Sequence, residues 1–435
     1  MKRLTGSIVA PVAVLALAAG LTACSSDGGG SSEEGGAITV WIMGDTGTAF
    51  EELAAGYTEK TGTDVNVEAI PWANLNDKIT TSIASGSGPD VIQIGLSVLP
   101  TLADAEALLP LDDLLGDYPA LAAENFADAV AGEATQIGGQ TLSVPWVADT
   151  RVLFYRSDVL ASVGYPHGPR TWDELLDAMT RIQRERKSRW GILMPTNEFE
   201  PILALALSNG SPLLNQAGTR GAFEEPPFRE AFNFYIDIFH RGFAPVVSNT
   251  QVANLYQQFA QNEFAMHITG PWNVGEFKRR LPPEMDGKWA TAPLPARDAS
   301  SPTGISMAGG SSLVIFRASH HKEAARKLIE FLSEPAQQVR FFALTGDLPA
   351  RRSAWATPAL ANDPYFPAFR EQLERVAPMP KVPEWEEIAN SVFEHGESAI
   401  RRAATPAEAL ADLDRMANDM LAKRRWILAR AEAKR

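Results

Sequence analysis

Residues 38–94, ITVWIMGDTGTAFEELAAGYTEKTGTDVNVEAIPWANLNDKITTSIASGSGPDVIQI, alternate between short apolar runs and segments with helical periodicity. The runs at 38–42, 65–70 and 91–94 are rich in β-branched residues and predict three strands. Strands that alternate with helices predict a βαβαβ unit with right-handed crossovers, and therefore a doubly wound α/β fold. Such sheets bind ligands in the loops that follow the carboxyl ends of their strands.

The remainder of the body continues this alternation and shows no internal repeat. Thr171-Trp172-Asp173-Glu174 predicts a capping box that opens a helix running to about Arg186. Thr405-Pro406-Ala407-Glu408 repeats the pattern with proline at the first helical position. Segments 226–241 and 322–333 also carry helical periodicity.

The composition is that of a globular protein and excludes several classes. Of the 435 residues, 45% are hydrophobic and 21% charged, which argues against disorder. The formal charge of −14 argues against nucleic-acid binding, which requires a clustered basic face. The single cysteine rules out a disulfide framework and a multi-thiolate metal site.

Catalytic, cofactor and metal motifs do not match this sequence. It contains neither of the common glycine-rich phosphate loops and no H-E-x-x-H metal motif. Gly304-Ile305-Ser306-Met307-Ala308 lacks the second glycine of a nucleophile elbow and is better interpreted as a loop entering a strand. Among 53 acidic residues, a carboxylate pair at glycosidase spacing will occur by chance, but no local motif supports one. We therefore predict no catalytic residue, no cofactor and no metal.

The first 36 residues are predicted to direct export rather than to fold. A charged start at Lys2 and Arg3 precedes the apolar run from Ile8 to Ala19, which predicts a signal peptide over 1–23. Leu21-Thr22-Ala23-Cys24 resembles the lipobox of bacterial lipoproteins, which implies a diacylglycerol on Cys24. Residues 24–36 would then be the lipidated cysteine and a flexible tether. The predicted location is extracellular, on the outer face of the cytoplasmic membrane, and the excess of arginine over lysine suggests a GC-rich Gram-positive bacterium.

Tryptophan gives the positive functional signal. Four of the ten tryptophans stand in Pro- or Gly-containing stretches where loops are predicted, namely Trp72, Trp146, Trp272 and Trp385. An indole face packs well on the apolar face of a pyranose, whose hydroxyls then need in-plane polar partners. A single tryptophan of this kind could equally be a core residue, but the group together favours sugar binding.

Six blocks of the sequence resemble the sugar-binding proteins of ABC importers, in particular the maltose- and trehalose-binding group. They occur in the order found in that family and span nearly the whole mature chain, at 52–66, 82–94, 144–158, 264–272, 309–312 and 345–351. The resemblance implies a binding protein and not an enzyme.

The resemblance also implies an architecture, a two-lobed periplasmic-binding-protein-like clamp. Each lobe would be a mainly parallel sheet flanked by helices, with three crossings of the chain between the lobes. The crossings are expected near 149–152, 299–305 and 350–353. Lobe one would then comprise 37–149 plus 305–350, and lobe two 152–299 plus 353–435.

The residues that match the ligand contacts of the family are predicted to bind the sugar. Asp45 and Asp149 would accept hydroxyl hydrogen bonds, Trp272 and Trp385 would stack on rings, and Arg351 would fork onto sugar oxygens. Further candidates are Gln93, Ser97, Trp146, Arg151, Glu198, Phe199, Gly310 and Ser311. Spacing does not decide between Glu198 and Glu200 for the acid of lobe two, and Asp149 with Arg151 could also be a surface ion pair.

The function implied by the resemblance is capture of a di- or oligosaccharide by hinge closure, with an α-glucoside such as trehalose or maltose favoured. The partners would be the transmembrane permease subunits of an ABC importer, and the membrane only through the lipid anchor. A monomer is expected. Two alternatives remain open at this point: a lipid-anchored glycoside hydrolase, and a binder of another solute such as an amino-sugar dimer or a polyol.

Overall fold

The structure of the protein, a computed structural model, describes residues 36–433. The predicted signal peptide and Cys24 lie outside the described residues. Within 36–433, no helix combines the length and the apolar character needed to cross a bilayer.

The larger sheet has six strands. In spatial order they are β13 (Leu348–Pro349), β6 (Val144–Asp149), β12 (Gly309–Ile315), β3 (Val91–Gly95), β1 (Ile38–Met43) and β2 (Val65–Ile70). The parallel order β2-β1-β3 confirms the predicted βαβαβ unit. We call the part of the chain built on this sheet lobe one.

The smaller sheet has four strands, and we call the part built on it lobe two. In spatial order the strands are β10 (Trp289–Ala292), β7 (Val152–Arg156), β9 (Phe264–Thr269) and β8 (Trp190–Leu193). Two short pairs stand apart from the large sheets: β4 (Gln136–Ile137) with β5 (Gln140–Thr141), and β11 (Ser306–Met307) with β14 (Val376–Ala377).

Helices occupy most of the remaining chain. They are α1 (Gly47–Thr61), α2 (Leu75–Ser85), α3 (Leu99–Asp104), α4 (Asp112–Asp117), α5 (Ser157–Ser162), α6 (Trp172–Arg184), α7 (Glu200–Ser208), α8 (Pro226–His240), α9 (Leu255–Ala260), α10 (Trp272–Arg280), α11 (Lys322–Leu332), α12 (Pro335–Thr345), α13 (Pro358–Ala361), α14 (Pro367–Leu373), α15 (Trp385–Ile400), α16 (Pro406–Met420) and α17 (Ala422–Glu432). Helix α1 begins the pattern by burying Phe50, Leu53 and Tyr57, as their helical spacing predicts.

The chain passes between the two sheets three times: from β6 to β7, from β10 to β12, and onward from β13. In each sheet most strands point the same way, and β7, β12 and β13 run against the others. Each reversed strand adjoins one of these passages. Strands β7 and β12 follow the first and the second passage, and β13 precedes the third. The predicted limits of the lobes themselves stay predictions.

The first and second passages are hydrogen-bonded to each other. Thr150 Oγ1 donates to the carbonyl of Met307 at 3.0 Å. The hydroxyl of Ser306 accepts from Arg151 N at 3.2 Å and donates to Arg151 O at 3.0 Å. All of these residues are buried, so the backbone of Arg151 is fixed where the chain enters lobe two.

One apolar cluster is shared by both sheets and includes Val40 of β1 and Phe154 of β7. Helices α10 and α12 come into backbone contact between the lobes. A Cβ on Gly346 would lie 2.9 Å from the Cα of Gly275, and Gly346 has a φ of +85°. Both positions therefore require glycine, and this contact ties the lobes together on one side.

The two predicted capping boxes have different outcomes. Thr405 forms the complete box, with Glu408 bonding back to the Thr405 backbone. The Thr171 hydroxyl accepts from Glu174 N, but the Glu174 carboxylate accepts from Arg170 N, one residue earlier than a capping box requires. Helix α6 ends at Arg184, two residues before the predicted end.

Candidate functional site

Arg151 is the centre of a polar cluster where the chain first passes from lobe one to lobe two. Its Nη1 lies 2.5 Å from Asp149 Oδ2, and its Nη2 lies 2.7 Å from Glu200 Oε1. Its guanidinium carbon lies 4.7 Å from the ring centroid of Trp272. We call these four residues the junction site, since Asp149 ends a lobe-one strand whereas Glu200 and Trp272 each begin a lobe-two helix.

The local sequence explains how the two helices present these side chains. Glu200 and Pro201 occupy the first turn of α7, where a carboxylate is favoured by the helix dipole. Trp272 is the first residue of α10, and its ring lies against Gly270. A Cβ at Gly270 would lie 1.9 Å from that ring, so the glycine is required for the indole to fold back toward Arg151.

The junction site is largely shielded from solvent, which shapes its electrostatics. The side chains of Arg151 and Asp149 are 10% and 18% exposed. Burial raises the pKa of Asp149, although Arg151 acts in the opposite direction. Burial alone would lower the pKa of Arg151, but Asp149 and Glu200 raise it above its usual value. The arginine thus stays charged and holds the two carboxylates in place.

One carboxylate oxygen of the junction site lacks a hydrogen-bond donor in the described residues. Asp149 Oδ1 is buried and has no hydrogen-bond partner within residues 36–433. A buried acceptor without a donor costs free energy, on the order of 1–3 kcal/mol. This oxygen therefore favours a ligand that donates a hydrogen bond.

Further acids surround the junction site. Burial, aided by the charge of Glu200, raises the pKa of Glu198 to about 7. Burial, aided by the charge of Asp149, raises the pKa of Asp347 to about 7. In the described part of the chain, no group of three or more His, Cys, Asp or Glu is arranged to hold a metal ion. The acids are suited to accept hydrogen bonds when ionised and to donate when protonated.

Trp72 offers an exposed ring at the carboxyl ends of the lobe-one strands. It is 49% exposed and packs beside Gly44 and Gly95, which follow β1 and end β3. Asp45 is also exposed, next to Gly44 in the loop after β1. Its charge acts on Tyr256 of lobe two, so this loop faces the other lobe.

A second set of contacts joins the lobes, and we call it the rim. The Ser97 hydroxyl lies near Glu386 and opposes the rise in the pKa of Glu386 that burial causes. Thr101 Oγ1 donates to the carbonyl of Pro383 at 2.8 Å, and Lys381 donates to the carbonyl of Glu133. Glu386 Oε2 is buried and has no partner among residues 36–433.

Two of the predicted ligand residues, Trp146 and Trp385, have fully buried side chains. Trp146 is 0% exposed within β6, packed against Phe50 and Phe341, because it lies on the inner face of a central strand. Trp385 is 0% exposed at the start of α15, in the core of lobe two. The prediction of exposed rings at 146 and 385 is therefore wrong.

Three other predicted ligand residues are bonded within lobe one. Arg351 donates to the carbonyl of Ala120 at 2.5 Å and lies over the ring of Phe126, while its Nε is buried without a partner among residues 36–433. Gln93 donates to the hydroxyl of Ser311 at 2.8 Å, and both are buried. Gln93 and Ser311 are therefore engaged with each other, and direct sugar contacts by Arg351, Gln93 and Ser311 stay predictions.

The remaining predicted ligand residues lie in different structural settings. Gly310 has a φ of +144°, and a Cβ there would lie 2.3 Å from the carbonyl oxygen of Val147, so its role is backbone geometry in β12. Phe199 is partly buried and immediately precedes α7. Glu198 and Glu200 lie on either side of it, and it is Glu200 that pairs with Arg151.

Asp347 and Glu386 are not among the residues predicted from the sequence, and Trp72 is not among the predicted ligand residues. Trp72 could have been found, since it follows a predicted strand of the βαβαβ unit and precedes a helix. The two acids lie far from the junction site in sequence, and no local signal marks them.

The chain is similar to known proteins over most of its length. The profile of the family described as bacterial extracellular solute-binding protein matches residues 41–339. The structure is similar to the sugar-binding protein MalE of the phytopathogen Xanthomonas citri, with 41% identity and a TM-score of 0.82, covering 90% of this chain and 99% of that one.

Two curated relatives are named for their sugars. A maltotriose-binding protein of Pyrococcus abyssi is 25% identical over 80% of this chain and 74% of its own. The diacetylchitobiose binding protein DasA of Streptomyces coelicolor is 22% identical over 97% of this chain and 100% of its own.

The raised pKa of Glu198 predicts a pH dependence of stability. Between the ordinary value of 4.5 and about 7, folded Glu198 keeps a proton that the unfolded chain has released. The free energy of unfolding should therefore fall as pH rises through this window, by on the order of 2 kcal/mol from this residue. Urea unfolding of the sugar-free protein at pH 5 and pH 8 measures the difference.

Glu198→Gln should reduce that difference, because the amide cannot ionise. Exposed Glu224 provides the matched control, and Glu224→Gln should leave the difference unchanged. An unaltered pH dependence in Glu198→Gln would show that the carboxyl ionises normally.

Proposed function

The chain belongs to the bacterial extracellular solute-binding protein family, and on this premise we propose that it captures a di- or oligosaccharide for an ABC importer. It acts by binding and not by catalysis, as a transport component. The captured sugar would be delivered to the transmembrane permease subunits.

The observation that carries the proposal is that Asp149 Oδ1 in the junction site and Glu386 Oε2 at the rim are buried without a hydrogen-bond partner among residues 36–433. They are two of three such carboxylate oxygens, the third being Glu384 Oε2. Sugar hydroxyls are donors of the kind that such oxygens need. The partly exposed ring of Trp72 supplies the flat apolar surface on which a pyranose packs. A carbohydrate satisfies both kinds of surface at once.

We expect the two lobes to close on the sugar, because the junction site and the rim each contain residues of both lobes. A ligand drives closure only through its additional affinity for the closed form. A shift from 1:99 to 99:1 in favour of the closed form requires about 5.5 kcal/mol of differential binding. Hydrogen bonds to Asp149 and Glu386, made together only when the lobes meet, would contribute to that difference.

The relatives guide the choice of sugar. MalE-type and maltotriose-binding proteins are among them, which favours an α-glucoside such as maltose or trehalose. The diacetylchitobiose-binding relative makes an amino-sugar dimer the second candidate.

A sugar panel tests the proposal on the chain that begins at residue 25. Isothermal titration calorimetry against maltose, maltotriose, trehalose, diacetylchitobiose and ribitol should give saturable binding for at least one of the saccharides. Trp72→Ala should weaken that binding roughly thirtyfold, because truncating an aromatic hot spot costs about 2 kcal/mol.

Trp426→Ala is the matched control, since Trp426 is 59% exposed on α17 and makes no contact in the junction site or the rim. It should bind sugar like the unchanged protein. Binding of none of the saccharides, or equal loss in both variants, would contradict the proposal.

We propose that Cys24 anchors the protein through a lipid at the outer face of the cytoplasmic membrane. The support is the lipobox-like sequence before Cys24 and the tether-like composition that follows it. Full-length protein expressed in a Gram-positive bacterium should fractionate with membranes, and Cys24→Ser should be released into the medium. Retention of Cys24→Ser on the membrane would contradict a lipid on this cysteine.

A further inference from the structure

Helix α17 at the carboxyl end of the chain is basic in an acidic protein. Its residues 422–432, AKRRWILARAE, contain four basic side chains and one acidic one, whereas the whole chain has a formal charge of −14. Most of the chain is therefore repelled by a negatively charged surface, and this helix is attracted to it.

The same helix exposes large apolar side chains. Trp426, Ile427 and Leu428 are 59%, 48% and 38% exposed. Within residues 36–433 they account for three of the five large hydrophobic residues with this degree of exposure. Successive residues of a helix point about 100° apart, so Ile427 adjoins Trp426 around the helix and Leu428 lies on the far side. The exposed rings and chains on the Trp426 side mark a surface that interacts with something else.

The base of α17 is fixed to lobe two, and its outer part is free of the body. Leu421, just before the helix, is buried, and Arg425 donates to the carbonyl of Thr219 at 2.8 Å. From residue 426 to residue 431 every side chain is exposed. The guanidinium of Arg430 lies 4.5 Å from the ring of Trp426, so the cationic and aromatic groups form one surface.

We propose that α17 binds the surface of an anionic phospholipid membrane. Basic side chains are attracted to anionic headgroups, and tryptophan is favoured at the level of those headgroups because its ring is apolar and its N–H is polar. Ile427, which adjoins Trp426 around the helix, then contributes by leaving water. The contact would orient lobe two toward the bilayer, and it goes beyond sugar capture without depending on it.

Vesicle co-sedimentation tests the proposal on the chain that begins at residue 25, which retains every residue that the structure describes. The chain should sediment with vesicles of equal parts phosphatidylglycerol and phosphatidylcholine, and not with phosphatidylcholine alone. Raising the salt to 1 M should reduce binding strongly, because the screening length falls to about 3 Å.

Substitutions locate the surface. Lys423→Gln together with Arg430→Gln should weaken binding to the anionic vesicles by roughly 25-fold, about fivefold for each basic side chain. Lys187→Gln with Lys288→Gln makes the same change in net charge at two exposed lysines of lobe two and should leave binding unchanged. Trp426→Ala should also weaken binding, whereas exposed Val246→Ala should not.

The measurements distinguish an anionic membrane from a second copy of the chain as the partner of this surface. Absence of binding to anionic vesicles, or equal loss in the helix variant and its control, would overturn the proposal. Analytical ultracentrifugation without vesicles provides the second measurement. A dimer that Trp426→Ala abolishes would overturn it in favour of contact between two copies of the chain. Unchanged thermal unfolding of each variant shows that the fold is intact.

Discussion

The paired arginine at the first passage between the lobes is the interaction on which the site depends. Arg151 is held by Asp149 of lobe one and by Glu200 of lobe two, and its flat face rests on Trp272. Removing one partner of a buried ion pair costs about 3–5 kcal/mol, because the other charge stays buried. The hydrogen bonds from Ser306 fix the backbone from which this side chain extends. The positions of the lobes and the geometry of the site are therefore set by the same residue.

The surrounding acids give the site its chemical character. Glu198 and Asp347 have pKa values near 7 because burial and neighbouring carboxylates disfavour their charged forms. Such groups accept or donate hydrogen bonds according to their protonation, which suits a ligand whose hydroxyls do both. In our account, hydrogen-bonding groups of both lobes face the sugar, so that it is bound fully only when the lobes meet.

The sequence predicted the elements of the fold better than the contacts of the site. The strand at 38–43 and the helix that buries Phe50 follow from local periodicity, which survives in the folded structure. The proline next to Trp146 suggested a loop, but burial of that ring depends on Phe341, almost 200 residues away. The carboxylate of Glu386 meets Ser97 only through the packing of the two lobes. Contacts of that kind have no local signature, whereas strands and helices do.

We propose that a sugar brings the two lobes together. The chain from residue 25 contains no native cysteine, so spin labels can be attached at Asp104→Cys on lobe one and Glu387→Cys near the rim on lobe two. The distance between these labels, measured by pulsed electron resonance, tests the claim directly. With a bound saccharide from the panel, we expect the distribution to shift to a single shorter distance. A distribution that is unchanged by a saturating sugar would contradict it.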